Sequence, residues 1–226
     1  MNERLLEHAF SMARRPTPDS ALELERLIRE AQTPEEVVAQ EELWRTSEYT
    51  RQAIKDRYQP EPYDLAELAR LPADSLGDAY ARHMIACNLS PAFYESIEAT
   101  TDSLLVRKRI FETHDIMHVL LGYTTSVLDE TGITGFYFGQ QDRYHPPGGG
   151  VLMVHSVIQE SAVFMHAALT DPEDARQQVR AFVTGYGRGY AARPFLSFRL
   201  EEMWDQPLTA VRARLALPER PDPGRQ

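Results

Sequence analysis

The chain has 226 residues, enough for one large domain or two small ones with a buried core. Its 34 acidic and 24 basic residues give a formal charge of −10, which argues against nucleic acid as a main partner because phosphate binding needs clustered Lys and Arg. The single cysteine, Cys87, excludes an intrachain disulfide and fits a reducing compartment. Without a secretory signal or an apolar run near the ~20 residues of a membrane span, we expect a cytoplasmic protein. Peripheral contact with the inner face of a membrane stays open.

Capping residues divide the first half of the chain into predicted helices. Asp19 or Ser20 is predicted to cap the second helix. Thr33, followed by a proline and two acids, is predicted to begin a third helix that runs to about Tyr58. Further helices are predicted over residues 73–88, 90–99 and 102–122, and the last of these is the best formed.

The second half of the chain is also predicted to be helical, since it has no alternating β-branched series between turns. Residues 151–169 are apolar almost all round, which is typical of a helix at the centre of a core. Shorter helical segments are predicted at 171–187, 200–205 and 207–215. The sequence therefore predicts a compact, single-domain all-α fold. Its predicted parts are a helical extension over 1–60, a core over 61–217 and a flexible Pro-rich tail over 218–226.

Glycines recur in two of these helical segments. Gly185 and Gly189 are four residues apart and are predicted to let two helices pack closely, as are Gly132, Gly135 and Gly139. Arg188, between the first two, is predicted to lie on the solvated surface.

The best-formed helix contains a short motif, HDIMH, whose histidines and aspartate are candidate metal ligands. His118 lies about 40° and Asp115 about 100° round the helix from His114, so the three share one sector of the surface. Two histidines at i and i+4 have the spacing at which one helix holds a metal ion.

Glu130 follows twelve residues after the motif. In one continuous helix it would stand about 18 Å along the axis from His118, too far to share an ion. A turn at Gly122, with Ser126 capping a second helix, would bring Glu130 back to the histidines. The sequence therefore places the motif on two adjacent helices.

The surroundings of the histidines are apolar, because Phe111 and Leu121 fall on the same stripe of the helix. Two imidazoles with one or two carboxylates suit Zn²⁺, Mn²⁺, Fe²⁺ or Co²⁺, and the residues do not choose among these ions. Hydrogen-bonded histidines in a core or interface are the alternative interpretation.

The sequence resembles the ubiquinone (coenzyme Q) biosynthesis proteins of the Coq-four family, whose hallmark is H-D-x-x-H followed by eleven residues and Glu. His114, Asp115, His118 and Glu130 fit that pattern without a gap. Arg109 and Glu112 match an R-x-x-E that precedes this pattern in the family. Residues 71–84 resemble the family's L-P-x-x-T-L-G-x-x-Y segment, with Ser75 in place of Thr. Residues 200–215 resemble its closing W-x-x-P-L-x-x-x-R segment. Asp129 replaces the glycine that often precedes the glutamate. The resemblance covers roughly residues 65 to 217.

This resemblance implies an all-helical fold and one divalent metal ion, usually zinc, held by His114, Asp115, His118 and Glu130. It implies action on the head group of a polyprenylated aromatic precursor, in which the ring carboxyl carbon is removed oxidatively and replaced by hydroxyl. The resemblance also fits a non-catalytic scaffold that presents polyprenyl lipids to other quinone-biosynthesis proteins. A homo-oligomer is compatible with both roles.

The sequence also suggests residues for a substrate pocket and an alternative class of metal site. Phe111, Leu121 and His155 are candidates for the lining of an apolar substrate pocket. An alternative class, the HD-type metal-dependent phosphohydrolase, would use His83 and Asp129 together with the HD pair, and would leave His118 and Glu130 without a role.

Overall fold

The computed structural model describes residues 3–14, 17–97, 99–147, 149–150 and 154–220, and this part of the chain forms eleven α-helices and no strand. The α-helices are α1 (Glu3–Arg14), α2 (Pro18–Glu30), α3 (Pro34–Thr46), α4 (Arg51–Asp56), α5 (Leu65–Leu68), α6 (Leu76–Ala86), α7 (Asp102–Leu121), α8 (Val127–Tyr144), α9 (Val154–Thr170), α10 (Pro172–Ala191) and α11 (Leu208–Arg214). Short 3-10 helices lie at Pro91–Ser96, Phe195–Ser197 and Leu200–Met203. The predicted all-α, single-domain fold is confirmed.

Helices α8 and α10 run parallel and touch backbone to backbone. A Cβ atom at Gly185 would overlap the carbonyl oxygen of Gly132, and one at Gly189 would overlap that of Phe136. Gly135 and Gly139 of α8 meet carbonyl oxygens of α10 in the same way. The predicted close packing through glycines is therefore confirmed, and it fixes the position of α8, which carries Glu130.

Two apolar clusters hold the helices together. The larger one joins side chains of α3, α6, α7 and α8 to the closing segments of the chain, with Trp44, Tyr80, Phe136 and Phe195 among its fully buried residues. The smaller one joins α1 and α2 to one side of α9. No described helix has the combined length and apolar character required to cross a bilayer.

Helix α9 is not central in the core, which corrects the prediction for residues 151–169. Among the described residues, one side of α9 is covered, by α1, α2, α8 and α10. Its other side exposes apolar side chains, with Leu169 83% and Met165 45% accessible. Helix α9 thus has apolar residues on all sides without being buried on all sides.

Two predicted helix boundaries in the first half were wrong. Thr17 caps α2 rather than Asp19 or Ser20, because the side chains of Thr17 and Ser20 bond to each other's backbone N–H groups. Helix α3 ends at Thr46 instead of continuing to Tyr58. There the Ser47 hydroxyl turns to the His145 ring, 2.6 Å away, a tertiary contact that local sequence does not display.

The first turn of α6 is tied to the closing segment of the chain. The backbone N–H of Leu76 donates to Gln206, that of Gly77 donates to Trp204, and that of Leu208 donates to Asp74. The rings of Tyr80 and Trp204 stack with centroids 5.0 Å apart. Two segments more than a hundred residues apart in the sequence thus form one structural unit beside α7.

Candidate metal centre

The two helices that carry the motif are separated by a sharp turn, as predicted. Helix α7 ends at Gly122, whose φ of 71° lies in the left-handed region that glycine adopts at low cost. Ser126 then caps α8, its hydroxyl accepting a hydrogen bond from the N–H of Asp129. Because α8 turns back, Glu130 reaches the histidines of α7.

An arginine cap, formed by Arg188, Arg212 and Arg220, closes the end of α7. The last carbonyl groups of a helix lack intrahelical donors, and cationic side chains at this end also suit the helix dipole. Arg212 donates to Val119 and Leu120, Arg188 donates to Leu121, and Arg220 donates to Gly122. Arg188 is only 5% exposed, so its predicted place on the solvated surface was wrong. Its partners come from distant parts of the chain.

Three side chains of the motif converge at one point between α7 and α8. The Nε2 atoms of His114 and His118 are 3.1 Å apart. The two carboxylate oxygens of Glu130 lie 3.3 Å from the Nε2 atom of His114 and 3.2 Å from that of His118. His118 is 1% exposed, whereas the side chains of His114 and Glu130 are 27% and 30% exposed, so the cluster is buried on the His118 side and open to solvent on the other.

Asp115 lies at the side of this cluster. Its nearest carboxylate oxygen and the two histidine nitrogens are all within 4.8 Å of one another. The hydroxyl of Tyr94 donates to Asp115 over 3.3 Å, and the Tyr94 ring stacks on Phe111 at 6.1 Å between centroids. The sequence did not single out Tyr94, because its short 3-10 helix carries no motif.

The three converging side chains shift each other's proton affinity. Burial by itself raises the pKa of Glu130, but hydrogen bonds and charge interactions with His114 and His118 outweigh it, so the net pKa is lowered. Burial lowers the pKa of His114, but the hydrogen bond and the charge of Glu130 outweigh it and the net pKa is raised. The cluster therefore favours a carboxylate at Glu130 and retains a cation beside it.

The outer sides of the two histidines differ. The Nδ1 atom of His114 faces the hydroxyl of Tyr137 at 3.4 Å. The Nδ1 atom of His118 is buried and has no hydrogen-bond partner among the described residues, while the ring of His83 stacks on His118 with centroids 5.2 Å apart. Tyr137 is thus placed to orient one of the two imidazoles.

The three predicted pocket residues fall in different surroundings. Phe111 is half-buried beside Tyr94, next to the motif. Leu121 is 1% exposed and belongs to the main apolar cluster, so it packs in the core. The side chain of His155 lies outside the described residues.

The carboxylate of Asp129 points away from the histidines. It accepts hydrogen bonds from the backbone N–H and hydroxyl of Thr124, both at 2.7 Å, and it pairs with Arg220 at 2.6 Å. The ligand set of an HD-type phosphohydrolase would need this carboxylate beside the HD pair. The geometry instead favours Glu130 in that place.

Arg109 and Glu112, which precede the histidines on α7, form a buried ion-pair network. Arg109 donates to both carboxylate oxygens of Glu201, at 2.8 and 3.0 Å, and to Glu112 at 2.8 Å. Arg109 thus pairs with two acids of the structure. The network joins α7 to the closing segment.

A second buried carboxyl group lies near the cluster, at Glu160 of α9. Glu160 is 4% exposed, and its Oε2 atom has no hydrogen-bond partner among the described residues. Burial raises the pKa of Glu160 to about 8, and the charge of Glu130 adds to this. No spacing in the sequence links residue 160 to the motif, so only the fold reveals it.

We expect Glu160→Gln to make chelator-treated protein more stable at pH 8. The folded-state pKa is about 8 and the reference value is 4.5, so between these values the folded state holds a proton that the unfolded state releases. Through this group the free energy of unfolding is highest below pH 4.5 and falls as the pH rises towards 8. The advantage of the variant should widen from about pH 5 to pH 8, reaching about 2–4 kcal/mol. Urea unfolding across this range measures it. Glu173→Gln, at an exposed carboxylate, should show no such trend.

The sequence was compared with known families and proteins. Residues 40–221 match the profile of the family described as Coenzyme Q (ubiquinone) biosynthesis protein Coq4. A mitochondrial ubiquinone biosynthesis protein COQ4 homolog from Rattus norvegicus is 28% identical over 166 residues, which cover 70% of this chain and 56% of that protein. The Drosophila ananassae homolog is 26% identical over 168 residues, covering 73% of this chain and 58% of that protein. The matches thus span little more than half the length of these relatives.

A solved structure shares the fold. The crystal structure of a provisionally named ubiquinone biosynthesis protein from Nostoc punctiforme superposes with a TM-score of 0.74 and covers 94% of each chain. The sequences are 24% identical, so this likeness concerns the fold alone.

Proposed function

Because the chain belongs to the coenzyme Q (ubiquinone) biosynthesis protein Coq4 family, we propose that it acts on the aromatic head group of a polyprenylated quinone precursor. The reaction is an oxidative decarboxylation, in which the ring carbon loses its carboxylate as carbon dioxide and gains a hydroxyl, with a two-electron oxidant such as dioxygen as co-substrate. The site is the cluster of His114, His118 and Glu130, with Asp115 at its side, and it holds one divalent metal ion.

The convergence of four donor atoms carries this proposal. Ligands at 2.0–2.2 Å in a tetrahedral zinc site are separated by roughly 3.3–3.6 Å. The separations between the histidine Nε2 atoms and the Glu130 oxygens are 3.1–3.3 Å, close to that range. Two imidazole nitrogens this close, with a carboxylate against both, need a shared cation or a retained proton to avoid repulsion. The residues present therefore fit a divalent ion.

The ion and the side chains around it have separate roles in this proposal. Bound to this donor set, Zn²⁺ would polarise a substrate oxygen, whereas Mn²⁺, Fe²⁺ or Co²⁺ would add redox chemistry. Tyr137 orients His114, and Tyr94 holds Asp115 beside the cluster. The burial of His118 excludes water from one side of the reacting group.

A non-catalytic role in presenting polyprenyl lipids is the second candidate. The exposed apolar side of α9, which includes Val157, Met165 and Leu169, supports it. Exposed apolar patches mark contacts with proteins, lipids or membranes. In that role the histidine cluster would hold the head group without converting it, so turnover of a prenylated substrate separates the two candidates.

Metal content tests the proposed centre. Protein purified without chelator or nickel affinity should carry about one ion per chain, and His118→Ala or Glu130→Ala should reduce this to about a tenth or less. Elemental mass spectrometry measures the content and identifies the ion. His83→Ala is the matched control, because His83 stacks on His118 without joining the donor atoms.

Each outcome has a distinct meaning. Retention of the metal by His83→Ala with loss in the other two variants supports the proposed ligand set. Loss of the metal in His83→Ala would instead favour the HD-type phosphohydrolase. A folded wild-type protein that takes up neither zinc, manganese, iron nor cobalt would contradict the metal centre.

A further inference from the structure

One side chain, that of Arg220, contacts both ends of the turn between α7 and α8. Its guanidinium donates hydrogen bonds to the carbonyl oxygen of Gly122 and to the carboxylate of Asp129, each over 2.6 Å. It also lies over the ring of Tyr123, with 4.6 Å between the guanidinium carbon and the ring centroid. The end of α7, the linker and the first turn of α8 therefore share one partner.

The carboxylate of Asp129 is held from two sides. Its Oδ2 atom accepts hydrogen bonds from the N–H and the hydroxyl of Thr124, both over 2.7 Å, and its Oδ1 atom accepts from Arg220. Asp129 is 6% exposed, so little water is available to replace either partner. A planar guanidinium presents several donors in a fixed arrangement, which suits two acceptors at once. Arg220 and Asp129 thus fix the start of α8 relative to the end of α7.

The candidate ligands depend unequally on this turn. His114, Asp115 and His118 all lie on α7, where the helix itself sets their spacing. Glu130 is the one member of the set that comes from α8. Its distance from the histidines therefore depends on the angle between the two helices.

The contacts of Arg220 lie next to the candidate ligands on both helices. Glu130 directly follows Asp129, and the N–H of Tyr123 donates to the carbonyl oxygen of His118 over 2.9 Å. If the turn opened, the Glu130 carboxylate would move away from the His118 Nε2 atom, now 3.2 Å from it. Ligand distances in a metal site hold to about 0.2 Å, so a small movement of this kind weakens binding.

We propose that Arg220 and Asp129 are positioning residues of the metal centre, which together hold Glu130 at the distance from the histidines that the ion requires. Neither side chain is itself a ligand in this arrangement. The inference rests on the proposed function, because the ion is part of it. It assigns the Arg220–Asp129 pair a role in metal affinity that other ion pairs of the chain do not share.

The test measures the dissociation constant of Zn²⁺ from chelator-treated protein, in competition with a chromophoric chelator. Arg220→Met should raise this constant about tenfold, the lower end of the range for residues that support metal ligands. Asp129→Asn keeps the shape of the side chain, removes its charge and should raise the constant by a similar factor. Because both changes remove one interaction, the double variant should bind Zn²⁺ no more weakly than the weaker single variant.

A conservative variant and a matched control accompany these measurements. Arg220→Lys should fall between wild type and Arg220→Met, because an ammonium group can keep one of the two partners. Arg199→Met removes another partly exposed arginine, which pairs with Asp56 and Glu202, both at 3.2 Å, and none of these partners is a candidate ligand. It should leave the dissociation constant within about twofold of wild type. Urea unfolding reports the stability of every variant separately.

The outcomes separate the positioning role from the proposed function. An unchanged dissociation constant in both Arg220→Met and Asp129→Asn would overturn the positioning role and leave the proposed function standing. Equal weakening in Arg199→Met would also overturn it, because metal affinity would then follow general stability. A folded wild-type protein that takes up neither zinc, manganese, iron nor cobalt would overturn the proposed function, and this inference with it.

Discussion

Replacing Gly185 by alanine is expected to lower the free energy of unfolding by at least about 3 kcal/mol. The new Cβ atom would overlap the carbonyl oxygen of Gly132. The next nearest atoms are also backbone, the carbonyl carbon of Gly132 at 2.8 Å and the nitrogen of Phe136 at 3.1 Å, so no side-chain rotation can relieve the overlap. Helices α8 and α10 would have to move apart, and Glu130 would move with α8. We therefore also expect weaker metal binding in this variant.

Gly187→Ala is the matched control on the same helix. Nothing lies within 4 Å of a Cβ atom at this position. The intrinsic preference of alanine for helices should then stabilise the protein by up to about 1 kcal/mol. Urea unfolding of the two variants measures effects of opposite sign. Equal stability of the two alanine variants would show that α8 and α10 do not meet through their backbones.

Replacing Arg109 by methionine should cost about 3–5 kcal/mol of unfolding free energy, the usual effect of breaking a buried ion pair. Arg109 is 5% exposed and Glu201 is 7% exposed, so little water can replace the lost partner. Burial by itself lowers the pKa of Arg109, but Glu201 and then Glu112 outweigh it and the net pKa is raised. Thermal or urea unfolding near neutral pH measures the loss.

The double variant Arg109→Met with Glu201→Met distinguishes two causes of the lost stability, which are the loss of the ion-pair attraction and the burial of an unpaired Glu201 carboxylate. Since both charges are then absent, it should recover much of the stability lost in the single variant. Glu112 keeps Lys108 as a partner at 3.8 Å. If the double variant is no more stable than Arg109→Met, the uncompensated Glu201 is not the source of the loss.

Local chemistry made much of the fold predictable. Gly122 and Ser126 are end and start signals that act within one turn of helix, so the bend that returns Glu130 could be predicted without a structure. The glycine spacing at Gly185 and Gly189 likewise indicated close packing. The roles of the candidate ligands remain predictions, because geometry alone brings them together without showing what they bind.

The errors and omissions have one physical origin, which is contact between distant parts of the chain. Ser47, at the end of α3, contacts His145, and Arg188 donates to carbonyl groups of α7 and of the closing segment. Tyr94 reaches the site from an element that carries no motif. Side chains near a candidate centre thus depend on tertiary packing that a single sequence does not display.

Because of the arginine cap, the candidate centre depends on residues far along the chain. Arg212 lies 92 residues after the Leu120 carbonyl that it caps, and Arg220 lies 98 residues after that of Gly122. These contacts span such long sequence separations that they form only once much of the chain is assembled. A fragment ending before α11 would contain the complete H-D-x-x-H-x11-E motif and Arg188, but it would lack Arg212 and Arg220, which cap the other carbonyl groups of the turn. The motif therefore does not form its site independently. The positions of its side chains depend on contacts throughout the domain.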